Sequence, residues 1–167
     1  MINNDVLRSI RYMLDLGDGQ VAQIVRLADP HFPIDTAAVQ SFLKKEGEAG
    51  YVECGDPVLA HFLDGLVIHK RGSNPDLPLR PAERRVTNNV VLKKLRVAFA
   101  LRDVDVHQAF EAAGFAVSVP EVTALFRKPG QQNYRACGDQ MLRNFLKGLT
   151  LRVRVAPMEH KRQDPGA

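Results

Sequence analysis

The sequence lacks the features that place a chain in a membrane or outside the cell. No apolar run approaches the ~18–20 residues that a helix needs to span a bilayer. Residues 1–5 show neither the basic start nor the apolar stretch of a signal peptide. The chain has only two cysteines, whereas small secreted domains depend on several disulfides. We therefore expect a reduced, cytoplasmic setting.

The sequence also lacks the motifs that carry common enzyme chemistries. It contains no Cys-x-x-Cys pair, and its histidines form no metal-ligand pattern with the cysteines. The glycines of residues 17–19 indicate a turn, because no strand precedes them and no Gly-Lys-Ser/Thr follows. No Ser/His/Asp arrangement is recognisable either. We therefore predict no metal site, no cofactor and no enzymatic activity.

Two stretches of the sequence occur twice. Residues 3–11 begin with Asn-Asn and return as residues 88–96, an offset of 85 residues. Residues 51–56 read Tyr-Val-Glu-Cys-Gly-Asp and return as Tyr-Arg-Ala-Cys-Gly-Asp at 134–139, an offset of 83 residues. Matching ends around a shared interior, with a two-residue deletion between them, indicate a tandem duplication.

The spacing of apolar residues predicts helices throughout, with no competing strand-like alternation. In the first helix the apolar residues fall at positions 6, 7, 10, 13 and 14, which gives one buried face. A single unit of about 70 residues buries a marginal core, so the copies should dock on each other. We predict an all-α fold of two pseudo-symmetric, roughly four-helix units packed together. The predicted boundaries are a first repeat at 1–71, a Pro-containing linker at 72–87, a second repeat at 88–152 and a disordered tail at 153–167.

Several polar residues stand where helix caps are expected. The Asn pairs precede the first helix of each repeat, and Asp56 and Asp139 precede the last, so we predict that they act as N-caps. Asp35 and Ser118 open the third helix of each repeat, and Ser118 belongs to a capping-box pattern. We also predict that Gly65 and Gly148 mark close helix crossings.

The two cysteines occupy equivalent positions, 54 and 137, just before a helix. A thiol at a helix N-terminus can have a lowered pKa and become reactive. A small residue buried beneath the helix start explains both cysteines more simply, and we favour that interpretation.

The paired segments resemble the YehS-like family of small bacterial proteins. The resemblance rests on the Asn-Asn…Leu…Arg and Tyr-x-x-Cys-Gly-Asp…Phe-Leu…Gly-Leu segments and covers roughly residues 1–152, including 83–85. It implies a tandem pair of one uncharacterised domain in a bacterial cytoplasm. It brings no established activity, cofactor or catalytic residue.

Charge differs between the matched repeats. Residues 1–71 carry 7 Lys and Arg against 10 Asp and Glu, whereas residues 88–151 carry 9 against 5. This imbalance either reflects drift on solvated surfaces or indicates that the second repeat faces an anionic partner.

Two binding hypotheses follow. The segment 106–128 resembles a helix-turn-helix with a long turn, which favours nucleic-acid binding through the basic second repeat. The residues predicted to contact phosphate are Lys93, Lys94, Arg96, Arg127, Lys128 and Arg135, with Arg143, Lys147, Arg152 and Arg154 as further candidates. The alternative is a protein-interaction or regulatory adaptor that uses the groove between the repeats. A continuous basic face would favour the first hypothesis, and an apolar cleft with a polar rim the second.

Overall fold

The fold is all-α, as predicted. The computed structural model describes the backbone of residues 1–73 and 81–162, and the side chains of residues 1–73 and 81–154. Within these ranges the chain forms helices and connecting segments, without a strand. The helices are α1 (Asn3–Leu14), α2 (Asp18–Ala28), α3 (Thr36–Leu43), α4 (Asp56–Arg71), α5 (Asn88–Ala98), α6 (Asp103–Ala112), α7 (Val119–Leu125) and α8 (Asp139–Arg162).

Equivalent helices of the two repeats bury equivalent apolar faces. The first helix of each repeat places its predicted stripe in the core, and the last helix does the same. These buried side chains are Val6, Leu7, Ile10 and Met13 in α1, Val91, Leu92, Leu95 and Ala98 in α5, Leu59, Phe62, Leu63 and Leu66 in α4, and Leu142, Phe145, Leu146 and Leu149 in α8. The shared pattern confirms that the chain contains two tandem units.

A glycine sets the closest helix crossing within each repeat. At Gly65 a β-carbon would overlap the carbonyl group of Ile24, where α4 crosses α2. At the equivalent Gly148 it would overlap the carbonyl group of Ala109, where α8 crosses α6. Only glycine allows the two backbones to approach this closely. The predicted role of both glycines at close crossings is therefore confirmed.

The repeats pack on each other through their first and last helices. Helix α4 of the first repeat contacts α5 of the second, and α8 of the second contacts α1 of the first. Because α1 corresponds to α5 and α4 to α8, exchanging the repeats converts one contact into the other. The repeats are thus related by a pseudo-twofold axis, and the interface consists of two equivalent helix pairs.

The Asn pairs do not act as helix caps, contrary to the prediction. Asn3 and Asn4 already lie inside α1, and their side chains reach the segment that leads into α4. The fully buried Asn4 amide donates to the Phe42 and Val52 carbonyls at 3.0 and 2.8 Å and accepts from the Cys54 amide at 2.9 Å. Asn4 therefore satisfies three backbone groups that are far from it in sequence.

The second repeat reproduces these bonds. Asn89 donates to the carbonyls of Leu125 and Arg135 at 3.0 and 2.9 Å and accepts from the Cys137 amide at 2.8 Å. The cap of α5 is instead Thr87, whose hydroxyl accepts from Val90 at 3.2 Å. The duplicated Asn pair is thus a tertiary clasp, and we use the term Asn clasp for it below.

Asp56 and Asp139 are also not N-caps, because they are the first residues of their helices and Gly55 caps α4. Their carboxylates accept from the Asn clasp instead, Asp56 from Asn3 at 2.7 Å and Asp139 from Asn88 at 2.8 Å.

The second oxygen of each of these carboxylates reaches the other repeat. Asp56 accepts from the backbone amide of Val86 at 3.2 Å, and Asp139 pairs with the amino group of Met1. Met1 and Val86 are equivalent positions, so these two contacts between the repeats are related by the pseudo-twofold axis. The hydrogen bonds from the Met1 amino group and then from Asn88 lower the pKa of Asp139, which keeps this contact charged.

The predicted caps of the third helices are confirmed. Asp35 accepts from the Ala38 amide at 2.7 Å, and Ser118 accepts from the Glu121 amide at 3.2 Å in a capping box.

The predicted repeat boundaries can be compared with the helices at two places. Residues 81–87 are non-helical, and the rest of the linker, 74–80, lies outside the described residues. Helix α8 continues to Arg162, so the predicted end of the second repeat at 152 falls inside a helix. Val153 still packs against the core, which explains why the helix passes this point. Residues 163–167 lie outside the described residues.

Replacing Asn4 by Ala should strongly destabilise the chain. The change removes three hydrogen bonds and leaves the buried Cys54 amide without this partner, and we expect a loss of about 3–5 kcal/mol in the free energy of unfolding. Urea denaturation followed by circular dichroism measures it. The control is Asn144→Ala, which removes only a bond to the Gln140 carbonyl in the same helix and should change stability by less than about 0.5 kcal/mol. Equal effects would contradict the clasp.

Candidate functional site

Three of the six predicted phosphate-contacting residues are held by carboxylates of the same chain. Each forms an ion pair with a carboxylate on a neighbouring helix. Arg96 also stacks over the Phe126 ring, with its guanidinium carbon 4.4 Å from the ring centroid. The pairs are Lys94 with Asp64 at 2.6 Å, Arg96 with Asp103 at 2.8 Å and Arg135 with Glu121 at 3.1 Å. The positive charges of these three residues are therefore compensated within the chain.

Arg152, a further candidate, is held in the same way. It pairs with the nearly buried Asp105 at 3.1 Å and thereby ties α8 to α6. The backbone amide of Arg102, and then its side chain, hold the pKa of Asp105 at about 2. This carboxylate is therefore ionised at neutral pH, and Arg152 stays engaged.

The other three predicted residues are exposed. Lys93, Arg127 and Lys128 form no ion pair within the described part of the chain. Arg127 and Lys128 follow the end of α7 rather than terminating it. The first-repeat equivalent of Lys93 is Arg8, which is engaged: it pairs with Asp5 and donates to the Lys44 carbonyl at 3.0 Å.

The helix-turn-helix candidate is the pair α6 and α7. The turn between them spans residues 113–118, and α7 is only seven residues long. Val122 and Leu125 of α7 are buried in the core, so this helix has little surface to offer a DNA groove.

Both cysteine thiols are buried, as we favoured from the sequence. Each sulfur lies near the carbonyl of the following glycine, at 3.7 Å for Cys54 and 3.6 Å for Cys137. Burial raises the pKa of the Cys54 thiol to about 12 and that of the Cys137 thiol to about 11. The thiolate form is therefore disfavoured at neutral pH.

Residues 1–73 and 81–162, which the structure describes, contain neither a membrane-spanning helix nor a metal-binding cluster. No helix in these ranges is long and apolar enough to cross a bilayer. No group of three or more His, Cys, Asp or Glu side chains within them could together hold a metal ion.

A cleft of about 610 Å³ opens between the two repeats, where α1 lies beside α8. Its floor is mainly apolar, and its rim is polar. Among the lining residues are Ser9 and Tyr12 of α1 and Arg143, Leu146, Lys147 and Leu151 of α8. We call this feature the α1–α8 cleft.

Cross-repeat contacts close both ends of the α1–α8 cleft. At one end the Met1 amino group pairs with Asp139. At the other end Arg154 donates to the Tyr12 carbonyl at 2.6 Å and lies over the Tyr12 ring at 4.4 Å. In the middle Ser9 donates to the carbonyl of Asp5 in its own helix, at 2.8 Å, and so does not bridge the cleft.

The pseudo-symmetric counterpart, which we call the α4–α5 groove, is closed at the same place. Lys94 takes the position of Ser9, and Asp64 takes the position of Lys147. Their charged groups form the 2.6 Å ion pair across the groove, with both side chains mostly shielded. At these equivalent positions the α4–α5 groove is bridged by an ion pair and the α1–α8 cleft is not.

Sequence reasoning missed most of this cleft. It selected Arg143, Lys147 and Arg154 only as extensions of a phosphate-binding patch, and it did not select Ser9 or Leu151. The comparison of the repeats held a signal, because Lys94 and Asp64, a pair of opposite charges, stand at the positions of Ser9 and Lys147.

The geometry defines a class of protein: an all-α tandem pair with a cleft between pseudo-symmetric repeats. Comparison with known families supplies the identity. The family described as "Protein of unknown function (DUF1456)" matches residues 3–72 and 88–154, and the chain belongs to this family. It is 44% identical over 155 residues to "Uncharacterized protein YehS" of Escherichia coli (strain K12), covering 93% of this chain and 98% of that protein. No solved structure matches significantly.

The raised thiol pKa values predict slow alkylation of the native protein. At pH 8 almost no thiolate exists at either cysteine, so both should react with iodoacetamide far more slowly than in the urea-unfolded chain. Mass spectrometry of the alkylated peptides measures each site. Rapid native labelling of either cysteine would contradict the buried, protonated state.

Proposed function

We propose that this chain is a non-enzymatic cytoplasmic binding protein, an adaptor that binds a segment of a partner protein in the α1–α8 cleft. One observation carries the proposal. Two helix pairs with the same evolutionary origin form the interface between the repeats; the α1–α8 pair leaves an apolar cleft with a polar rim, whereas the Lys94–Asp64 ion pair spans the α4–α5 pair at the equivalent position. That arrangement is the one expected of the adaptor hypothesis.

The residues that line the cleft support the adaptor function. Leu151 of α8 is 43% exposed and Tyr12 of α1 is 62% exposed. Most other large apolar side chains of these two helices are buried. An exposed apolar surface of this kind, with a polar rim, is typical of a binding site. The closed ends hold α1 and α8 at a fixed separation, so the surface is formed before a partner arrives.

A photo-crosslinking residue in the cleft should capture the partner in cells. Benzoylphenylalanine at Leu151 should give a defined protein adduct, identified by mass spectrometry. The same residue at Ile68, the equivalent position of the α4–α5 groove, should give none, because that groove is closed. Adducts of equal yield from both positions would contradict the proposal.

Transplanting the ion pair should abolish the adduct. The double variant Ser9→Lys with Lys147→Asp recreates the Lys94–Asp64 pair in the cleft and should close it without loss of thermal stability. The matched control, Lys94→Ser with Asp64→Lys, changes the other groove and should leave the Leu151 adduct intact. An adduct that persists in the first variant, with the fold intact, would refute the assignment of the cleft.

A second candidate function is nucleic-acid binding through the second repeat. It is supported by the exposed, unpaired state of Lys93, Arg127 and Lys128 within the described residues. In the first repeat the matching Arg8 is engaged, and the Lys44 ammonium group donates to the Ala49 carbonyl at 2.8 Å.

If this second function is real, binding of duplex DNA should weaken steeply with salt. The log–log slope is about −0.9 per phosphate neutralised. Arg127→Ala with Lys128→Ala should flatten it by up to about two units. The matched change, Lys44→Ala with Lys45→Ala, should have a smaller effect because the first repeat is acidic. Filter binding at several salt concentrations measures the slope for both double variants. Equal changes in slope, or no DNA binding at low salt, would exclude this candidate.

A further inference from the structure

The charges on the rim of the α1–α8 cleft are distributed unevenly between its two helices. Arg143 and Lys147 on α8 are exposed, and neither forms an ion pair within the described part of the chain. On the α1 side the only charged lining side chain is Asp5, which is paired with Arg8. One edge of the cleft is therefore cationic and the opposite edge is not.

The two cations have helical spacing. Arg143 and Lys147 are four residues apart, so they project from the same face of α8, about 6 Å from each other. Carboxylates one helical turn apart on a partner would meet them in register. Arg154, further along the same helix, already contacts Tyr12, so it is less available to pair with a carboxylate of the partner.

The apolar floor fits a helix. Leu146, Leu151 and Tyr12 lie along a cleft bounded by two helices, and the distance along α8 from residue 143 to 154 is about 16 Å, or three helical turns. An amphipathic helix places apolar side chains at i, i+3, i+4 and i+7 into such a groove. The described part of the chain has no strand whose edge could pair with an extended peptide.

From these features we infer that the partner segment is an amphipathic helix with one acidic edge, which lies in the cleft with that edge against Arg143 and Lys147. This inference rests on the proposed adaptor function and adds the chemistry and orientation of the partner. The α1 rim has no charged lining side chain other than Asp5, which is paired with Arg8, so the cations of α8 fix the orientation.

The test is a selection of helical 16-residue peptides from a displayed random library on the full chain. Peptides that also bind the variant Ser9→Lys with Lys147→Asp are discarded, so that only cleft-dependent peptides remain. We expect these to carry apolar residues at helical spacing and acidic residues along one edge. For a selected peptide, Arg143→Glu with Lys147→Glu should weaken binding by at least about tenfold and reduce its salt dependence.

A charge-matched control separates the cleft from the overall charge of the chain. Lys93→Glu with Lys128→Glu changes net charge by the same amount at exposed positions outside the cleft and should alter affinity by less than about twofold. Cleft-dependent peptides that are basic or uncharged would overturn this inference and leave the adaptor function standing. Recovery of no cleft-dependent peptide would overturn the inference, while crosslinking at Leu151 decides the adaptor function separately. Duplex DNA that binds the full chain and not the cleft variant would overturn the inference in favour of a nucleic-acid partner.

Discussion

The rest of the structure depends on the duplicated Asn clasp and the aspartate that it holds. The side-chain amide of Asn4 or Asn89 satisfies backbone groups on either side of the segment that leads into the last helix of its repeat. The neighbouring asparagine fixes Asp56 or Asp139, and that carboxylate then reaches the opposite repeat. The same few residues therefore organise each unit and dock it on its copy.

Because two equivalent helix pairs dock the repeats, the chain has two related grooves. The residues that line one groove can differ from those that line the other. Lys94 and Asp64 close the first groove with an ion pair. Ser9 and Lys147 cannot do so, and the second groove stays open between closed ends. The interface that docks the two repeats thereby also forms the cleft.

Much of the fold could be predicted from the sequence because it is encoded in local patterns. The helical spacing of apolar residues, the caps Asp35 and Ser118 and the close-packed glycines Gly65 and Gly148 were all recognisable. The roles of the Asn pairs and of Asp56 and Asp139 were predicted wrongly. A cap and a tertiary clasp use the same residue types just before or just inside a helix, and only the position of distant carbonyls distinguishes them. A groove between the repeats was part of the adaptor hypothesis, but the residues that line it were not predicted, since no local pattern shows that α1 lies beside α8.

If the two repeats form one folding unit, they must unfold together. Tyr51 and Tyr134 occupy equivalent positions, one in each repeat, and fluorotyrosine at both provides matched ¹⁹F NMR probes, assigned with single Tyr→Phe variants. Urea titration of the full chain should give one midpoint for the two resonances, because the contacts at Asp56 and Asp139 couple the repeats. Two well-separated midpoints would show that each repeat folds independently, and the account of a rigid cleft built on their interface would then be wrong.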